Sequence, residues 1–461
     1  MVTLFDGMRN AVSALRATGE ALAATQQNLT NAGTAGYARR NVSFTSDGFD
    51  PSRGLAGGVH ATSETARNLY AEQAVSSQTS QKGFFDTFTQ SANGVSQVLG
   101  LNDVSGSTGI QGALKNLFQS FSKLLQGGSD PVSQQKVVEK AREFATTISQ
   151  TADFLQEGAA MAQSRIHATV DQVNSLVRGI QEWNAQLNAD GQRDPTAEAQ
   201  VYAGIESLSK LVPISVQKTP NGGLTILMNG EVPLLQGLQQ FPLSVSYGAP
   251  ATNAAFPDAA AQIHILDSTG TDISSSIRSG ELGGLLDYSN RFLPTLLGSG
   301  DQQGDLNRLA QGIADSVNSA LGGASSLFQY NGSPTDVARS LEVNPSYMAA
   351  DLGAAITGNP DVANGLSNIV AGANQIDGQS YSQFLVALSS RSSADLNHAS
   401  NGLDLQTKLL AQAQTFRENV QGASVEQAAV ELLQYQRAFE AAAKVIGVID
   451  QLTQTALNIV S

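Results

Sequence analysis

Four histidines, His60, His167, His264 and His398, are the side chains best suited to move protons near neutral pH or to ligate a metal. None has another histidine, or a carboxylate at metal-ligand spacing, beside it, so each reads as a lone surface or partly packed residue. The segment Gly298-Ser299-Gly300-Asp301-Gln302-Gln303-Gly304-Asp305 resembles a phosphate or calcium loop, but it lacks the Gly-Lys-Ser ending of the first and the closing glutamate of the second. It reads as a connector between helices. Trp183, the single tryptophan, falls on a helical seam and reads as core rather than as a ligand-stacking ring. Arg39 and Arg40 form a short basic pair, expected in a solvated turn. Asn28-Leu29-Thr30 and Asn41-Val42-Ser43 match glycosylation acceptors, though Asn28 lies on an expected helix. No nucleophile elbow, phosphate loop or zinc-protease helix is present. With no cysteine, thiol catalysis, disulfides and thiolate metal sites are excluded. The expectation is no catalytic residue, no cofactor and no metal; an enzyme with its site in the β-rich middle of the chain has no motif behind it.

The chemistry that remains is packing. Phe5, Met8, Val12, Leu15, Gly19, Leu22, Gln26 and Leu29 recur in alternating steps of three and four, which puts them on one face of a helix. The other end repeats the pattern through Val425, Ala428, Leu432, Tyr435, Phe439, Ala442, Ile446, Ile449, Thr453, Ala456 and Val460. Chain ends fray when nothing holds them. Two ends that both carry a packing stripe are expected to pack on each other, on neighbouring subunits, or on both. Seams so rich in Ala, Gly, Ser, Thr and Gln bury little apolar area, so their order is expected to come largely from assembly.

Composition narrows the class. The chain has 461 residues, of which 41% are hydrophobic, 6% aromatic and 14% charged, against about 25% charged in typical usage. A weakly charged polar surface suits lateral packing of subunits. The net charge of −14 argues against a phosphate-binding basic patch and against an anionic membrane surface. No apolar run reaches the length of a membrane span. Met1 to Leu29 carries Asp6 and Glu20 within it, so it is not expected to act as a secretory signal.

These residues sit on a readable series of elements. Residues 4–29 form one helix of roughly 40 Å, followed by a turn-rich stretch to Gly58 and a polar helical segment from about Glu64 to Leu99. A short helix carries Ile110, Leu114, Leu117, Phe121 and Leu124. Asp130-Pro131 supplies an acidic N-cap followed by proline at the first helical position. The stripe after it, Phe144 to Leu187, has one stutter at Gly158, Ala162 and Ile166 and implies a rod on the order of 60 Å. Pro213 opens a region of period-two strands with turns at Asn221-Gly222-Gly223 and Asn229-Gly230. Helices resume over Gly280 to Leu297, Asp305 to Leu321 and Tyr381 to Val420. Ser424-Val425-Glu426-Gln427 fits a capping box that starts the last helix. The expected fold is mainly α with a small inserted β domain: a long antiparallel helical bundle with paired N- and C-terminal helices. The expected division is 1–40 with 422–461 as a terminal coiled-coil core, 41–212 with 279–421 as the bundle, and 213–278 as the β insert.

The segment Gln27 to Arg40 resembles the signature of flagellar axial proteins, an asparagine-rich helix end running into Thr-x-Gly-Tyr-x-Arg, here Thr34-Ala35-Gly36-Tyr37-Ala38-Arg39. Asp130-Pro131 and the helix after it, Leu224 to Leu243, Gly280 to Asp287 with Leu306 to Leu321, and Ser424 to Val460 resemble, in the same order, the hook-associated protein 1 family. The β insert is shorter than in long members, and Ala38 stands where that family tends to have serine.

The resemblance implies a structural adapter that joins hook to filament in the bacterial flagellum. It implies export by the flagellar type III route to the cell exterior, with a chaperone, and assembly with itself into a tube. Hook protein lies on one side and a second hook-associated protein or the filament on the other. The seam residues Phe5, Met8, Val12, Leu15, Leu22 and Leu29 and their partners Leu432, Tyr435, Phe439, Ala442, Ile446 and Ile449 would then make the inner core. Asn28, Asn31, Gly33, Thr34, Gly36, Tyr37 and Arg39 would form the turn by which the chain leaves it, with Tyr37 and Arg39 as anchors. Other readings are another axial protein, hook or distal rod, and a secreted coiled-coil adhesin. The long heptad argues against the first, and the matched terminal stripes with a β excursion between them argue against the second.

Overall fold

The computed structural model describes residues 2–46, 58–100, 107–126, 130–189, 195–218, 223–248, 263–299, 302–322, 326–372 and 375–460. Gly127-Gly128 and Asp190-Gly191, which the sequence marks as helix stops, and Asn221-Gly222 of the expected turn lie outside these residues.

The first helix, α1, spans Val2–Asn31. A hairpin not anticipated from the sequence follows: β1, Arg40–Ser46, pairs antiparallel with β2, Val59–Thr65. Its inner face is Val42, Phe44, Val59, Ala61 and Ser63, with Phe44 44% exposed, too polar and too open to announce period-two burial. The polar helical segment therefore starts later than expected, as α2, Leu69–Val98. Asn68 caps it, its Oδ1 accepting from the Tyr70 and Ala71 N–H groups at 3.0 and 3.1 Å.

Helix α3, Gly109–Gln126, leads to α4, Pro131–Ala189, an unbroken helix of 59 residues, roughly 90 Å long. Asp130 caps α4 by accepting from the Val132 and Ser133 N–H groups, and these bonds hold its carboxyl below the ordinary carboxylate range. From Phe144 to Ile180 the α4 stripe is buried except at Gly158 and Leu176, which are half-buried, and the next seam position departs further from expectation. Trp183 is 37% exposed and Asn184 is fully buried in its place. The cause is the neighbour: this end of α4 meets strands and loops, whose backbone groups need hydrogen-bond partners rather than a ring. Asn174 brackets Leu243, Gln181 reaches the Leu238 carbonyl and Asn184 the Gly237 carbonyl.

After α5, Pro195–Leu211, a four-stranded antiparallel meander forms from β3, Ile214–Lys218, β4, Leu224–Met228, β5, Val232–Gln236, and β6, Gln239–Gln240. In the three-residue β4–β5 connection, Asn229 and Gly230 take φ of 50° and 79°, the left-handed pair of a primed turn, and the Glu231 N–H donates across them to the Met228 carbonyl at 3.1 Å. A separate pair joins β7, Ser244–Tyr247, to β8, Ile263–Leu266. His264, expected at most to be partly packed, is completely buried there, with Nδ1 3.1 Å from the Asp272 carboxylate.

The return begins with α6, Gly280–Asp287, which passes through a π turn at Tyr288–Phe292 into α7, Leu293–Leu297. The glycine-rich connector is a minimal hairpin, β9, Gly298–Ser299, with β10, Gln302–Gln303. Helix α8, Asp305–Ala320, then β11, Phe328–Gln329, α9, Val337–Ser340, and β12, Glu342–Val343, precede α10, Ala349–Gly358, and α11, Asp361–Ala371. Two long helices close the chain: α12, Tyr381–Gln421, packed along α2, and α13, Val425–Val460, packed along α1. One continuous apolar cluster joins α2 to α12 and to strands from β3 onward, and among the described residues it takes none from α1, α13 or the β1–β2 hairpin.

Candidate functional site

The two terminal helices lie antiparallel. Gly7 of α1 approaches the Ile449 side chain and Gly19 approaches Phe439, with an added Cβ meeting each at 3.6 and 3.7 Å. On α13 most of the seam faces inward: Ala428 is buried, and Leu432, Tyr435, Ala442, Ile446 and Ile449 are half-buried, while Phe439 remains 37% and Val425 54% exposed. On α1 the deepest positions are smaller than the seam suggested. Ala11, Ala17, Ala21, Ala24, Thr25 and Asn28 are buried, whereas Met8, Val12, Leu15, Leu22 and Leu29 are half-buried. The Phe5 side chain lies outside the described residues. Small side chains let α1 be crossed closely by β2 and α13, and the Val59 N–H donates to Ser13 Oγ at 3.1 Å.

A second apolar stripe on α13 points away from α1. Val430, Leu433, Val445, Val448 and Leu452 are 49–56% exposed. At 100° per residue they share one face, opposite Leu432, Tyr435 and Ile446. Half-burying such a side chain leaves roughly 1 kcal/mol of transfer free energy unrealised at each position.

The signature turn is built around Asn28. Its Oδ1 accepts from the Tyr37 hydroxyl and the Arg40 N–H, both at 2.8 Å, and its Nδ2 donates to the Arg40 carbonyl at 2.9 Å. One buried amide thus fixes where the chain leaves the helix and where the hairpin begins. Burial pushes the Tyr37 hydroxyl up to about 12, opposed by Arg40 and reinforced by Glu198, so it stays a donor near neutral pH. Asn31 and Thr34 close a short turn, N–H to carbonyl at 2.9 Å and side chain to side chain at 3.2 Å. Of the two glycines only Gly36 needs its lack of a side chain: it has φ of +75°, and a Cβ there would lie 2.3 Å from the Ala199 carbonyl. A Cβ at Gly33 would meet nothing within 4 Å.

Arg39 and Arg40 are not in a solvated turn. Arg40 opens β1 with Nε on Ser63 Oγ at 2.7 Å. Arg39 is tied by its backbone, its N–H donating to the Gln421 carbonyl and its own carbonyl accepting from Ala66.

Replacing Asn28 with alanine removes three bonds, two of them to the Arg40 backbone, at a site only 6% exposed, an expected loss of about 2–3 kcal/mol. A lower urea midpoint, with faster tryptic cleavage after Arg39 and Arg40, checks this.

Behind the turn sits a polar joint that the sequence reading missed. Arg67, its side chain 2% exposed, reaches Glu72 at 2.5 Å, Glu198 at 3.0 Å and the Gly36 carbonyl at 2.8 Å, with its guanidinium 3.7 Å above the Tyr202 ring. Glu72 also accepts from Gln421 at 2.7 Å and pairs with Arg417 at 3.4 Å, and Arg417 reaches Glu206 at 2.6 Å. Gln421 Oε1 takes the Asn68 N–H at 2.8 Å. The joint ties the signature turn, the start of α2, one face of α5 and the end of α12. Burial pushes the Tyr202 hydroxyl well above its usual range. Burial also opposes the charge on Arg417, but the hydrogen bonds and negative charges of Glu206 and Glu72 together outweigh it and raise the guanidinium above its ordinary range. The local signal was the spacing Glu198, Tyr202, Glu206 and the pair Arg417, Gln421, which set these groups on single helix faces.

The family model for the flagellar hook-associated protein FlgK helical domain matches residues 95–333, and that for the flagellar basal body rod FlgEFG protein C-terminal segment matches residues 420–459. The chain is similar to flagellar hook-associated protein 1 of Bacillus subtilis (strain 168), 23% identical over 513 residues covering 99% of each chain. It is also similar to flagellar hook-associated protein 1 of Escherichia coli (strain K12), 22% identical over 324 residues, 68% of this chain and 56% of the relative. Among solved structures, the flagellar hook junction protein FlgK from Burkholderia pseudomallei aligns with a TM-score of 0.47 at 19% identity, over 56% of this chain and 47% of that one.

Proposed function

The chain belongs to the flagellar hook-associated protein FlgK family, and from that premise we propose that it is a structural adapter of the bacterial flagellum joining hook to filament. Its role is packing rather than catalysis. It assembles with itself into a tube, with hook protein on one side and a second hook-associated protein or the filament on the other. It reaches the cell exterior through the flagellar export channel, escorted by a chaperone.

The observation that carries this reading is the two-faced α13. One face packs on α1, and the opposite face leaves five apolar side chains half-exposed. In a tube, neighbouring copies cover that second face. The Asn28 turn and the Arg67 joint set how the terminal pair stands on the body, and through it how successive subunits stack.

The test is a motile strain lacking its own copy, complemented with the chain carrying Val445→Asp and Val448→Asp together. Both positions are exposed, so the monomer folds. The expected result is export of the variant, hooks without filaments, flagellin in the medium and a swim ring no larger than the deletion's. Wild-type swimming would overturn the assembly role of this face.

A further inference from the structure

A trough of about 520 Å³ runs along the body, far in sequence from the signature turn, between α3, the end of α11 and the start of α12. Leu114, Phe118, Val370 and Leu385 line it, and Val386, 49% exposed, stands on its wall. The lining runs from Gln111 to Gln126 along α3, a length of roughly 22 Å. It is open on one side, whereas small-molecule pockets enclose most of their ligand. A trough between two helices accepts the ridge of a third.

Its charge is opposite to that of the chain. Against a net charge of −14, α3 contains no Asp or Glu, and Lys115 and Lys123 both border the trough, exposed and without an ion-pair partner among the described residues. On the α12 wall no acid occurs before Asp395, which is itself paired with Arg291 at 3.1 Å. The two lysines are eight positions apart, roughly two turns along the same side of α3.

We propose that this trough binds an amphipathic helix of a partner protein, its apolar ridge seated against Val370 and Val386 over the closed floor of Leu114, Phe118 and Leu385, and its acidic flank on Lys115 and Lys123. The lysines select for acidic helices and set their register, and the two valines with the lysine stems supply the apolar contact.

The chain has no cysteine, so Val386→Cys accepts a single environment-sensitive dye at the trough wall. The probe is a helical peptide of about eighteen residues with leucines at i, i+4, i+7 and i+11 and glutamates beside them. The expected result is saturable binding read by the dye, weakened at least about tenfold by Lys115→Glu with Lys123→Glu and also by raised salt. Both lysines are exposed, so the variant folds. Lack of saturation, equal binding of the twin peptide with lysines for glutamates, or indifference to the double substitution would overturn the proposal. A dye response that grows with protein concentration without peptide would also overturn it, by making the occupant a second copy of this chain.

Discussion

Substituting Arg67 with methionine is expected to destabilise the joint by about 3–5 kcal/mol, because removing one partner strands the other charges in a buried setting. Arg67 serves Glu72, Glu198 and the Gly36 carbonyl at once, with a side chain 2% exposed. Methionine fills much of the volume but takes this donor from Glu198 and the Gly36 carbonyl and leaves Glu72 to Gln421 and Arg417. Arg67→Lys should recover only part of the loss: an ammonium can approach one carboxylate, but it lacks the flat fork that spans three acceptors and stacks on Tyr202. Urea unfolding followed by far-ultraviolet dichroism measures the loss, and hydrogen exchange of the amides at Arg39 and Ala66, bonded across the joint, shows where it acts. An unchanged midpoint in Arg67→Met would mean that the joint contributes nothing to holding the terminal pair on the body.

Gly36→Val is expected to cost about as much, roughly 3–5 kcal/mol, from two additive sources. The position has φ of +75°, where a β-branched residue is strained, and the new Cβ would sit 2.3 Å from the Ala199 carbonyl and 2.7 Å from the Ala203 nitrogen. Both obstacles are backbone of α5, so relief means moving that helix, and with it Glu198 and Tyr202 of the joint. Gly33→Val supplies the control, since nothing lies within 4 Å of the added carbon and the backbone there is not left-handed. Complemented strains should swim with valine at residue 33 and fail with valine at residue 36. Equal swimming would remove the special role of Gly36.

Much of the architecture was legible because helical packing is written in local spacing. Steps of three and four residues located α1, α3, α4 and α13, and on α13 they also identified the face turned toward α1. Asp130-Pro131 and Asn229-Gly230 marked a helix start and a hairpin turn through conformational preferences that act over two or three residues. Where the neighbour across an interface was not another helix, spacing failed. Trp183 held the seam position, yet the strands opposite needed hydrogen-bond partners, and Asn184 was buried instead. The β1–β2 hairpin escaped because only Val42, Phe44, Val59 and Ala61 give its inner face any apolar character.

Spacing along the chain therefore determined that this protein is a set of long helices with a β excursion and two ends suited to pair. Folding alone decided that Asn28 clamps Tyr37 and Arg40, and that Arg67, Glu72, Glu198, Arg417 and Gln421 meet. Glu72 and Gln421 are 349 positions apart. A buried charge is tolerated only when distant partners converge on it, and no local periodicity records such convergence.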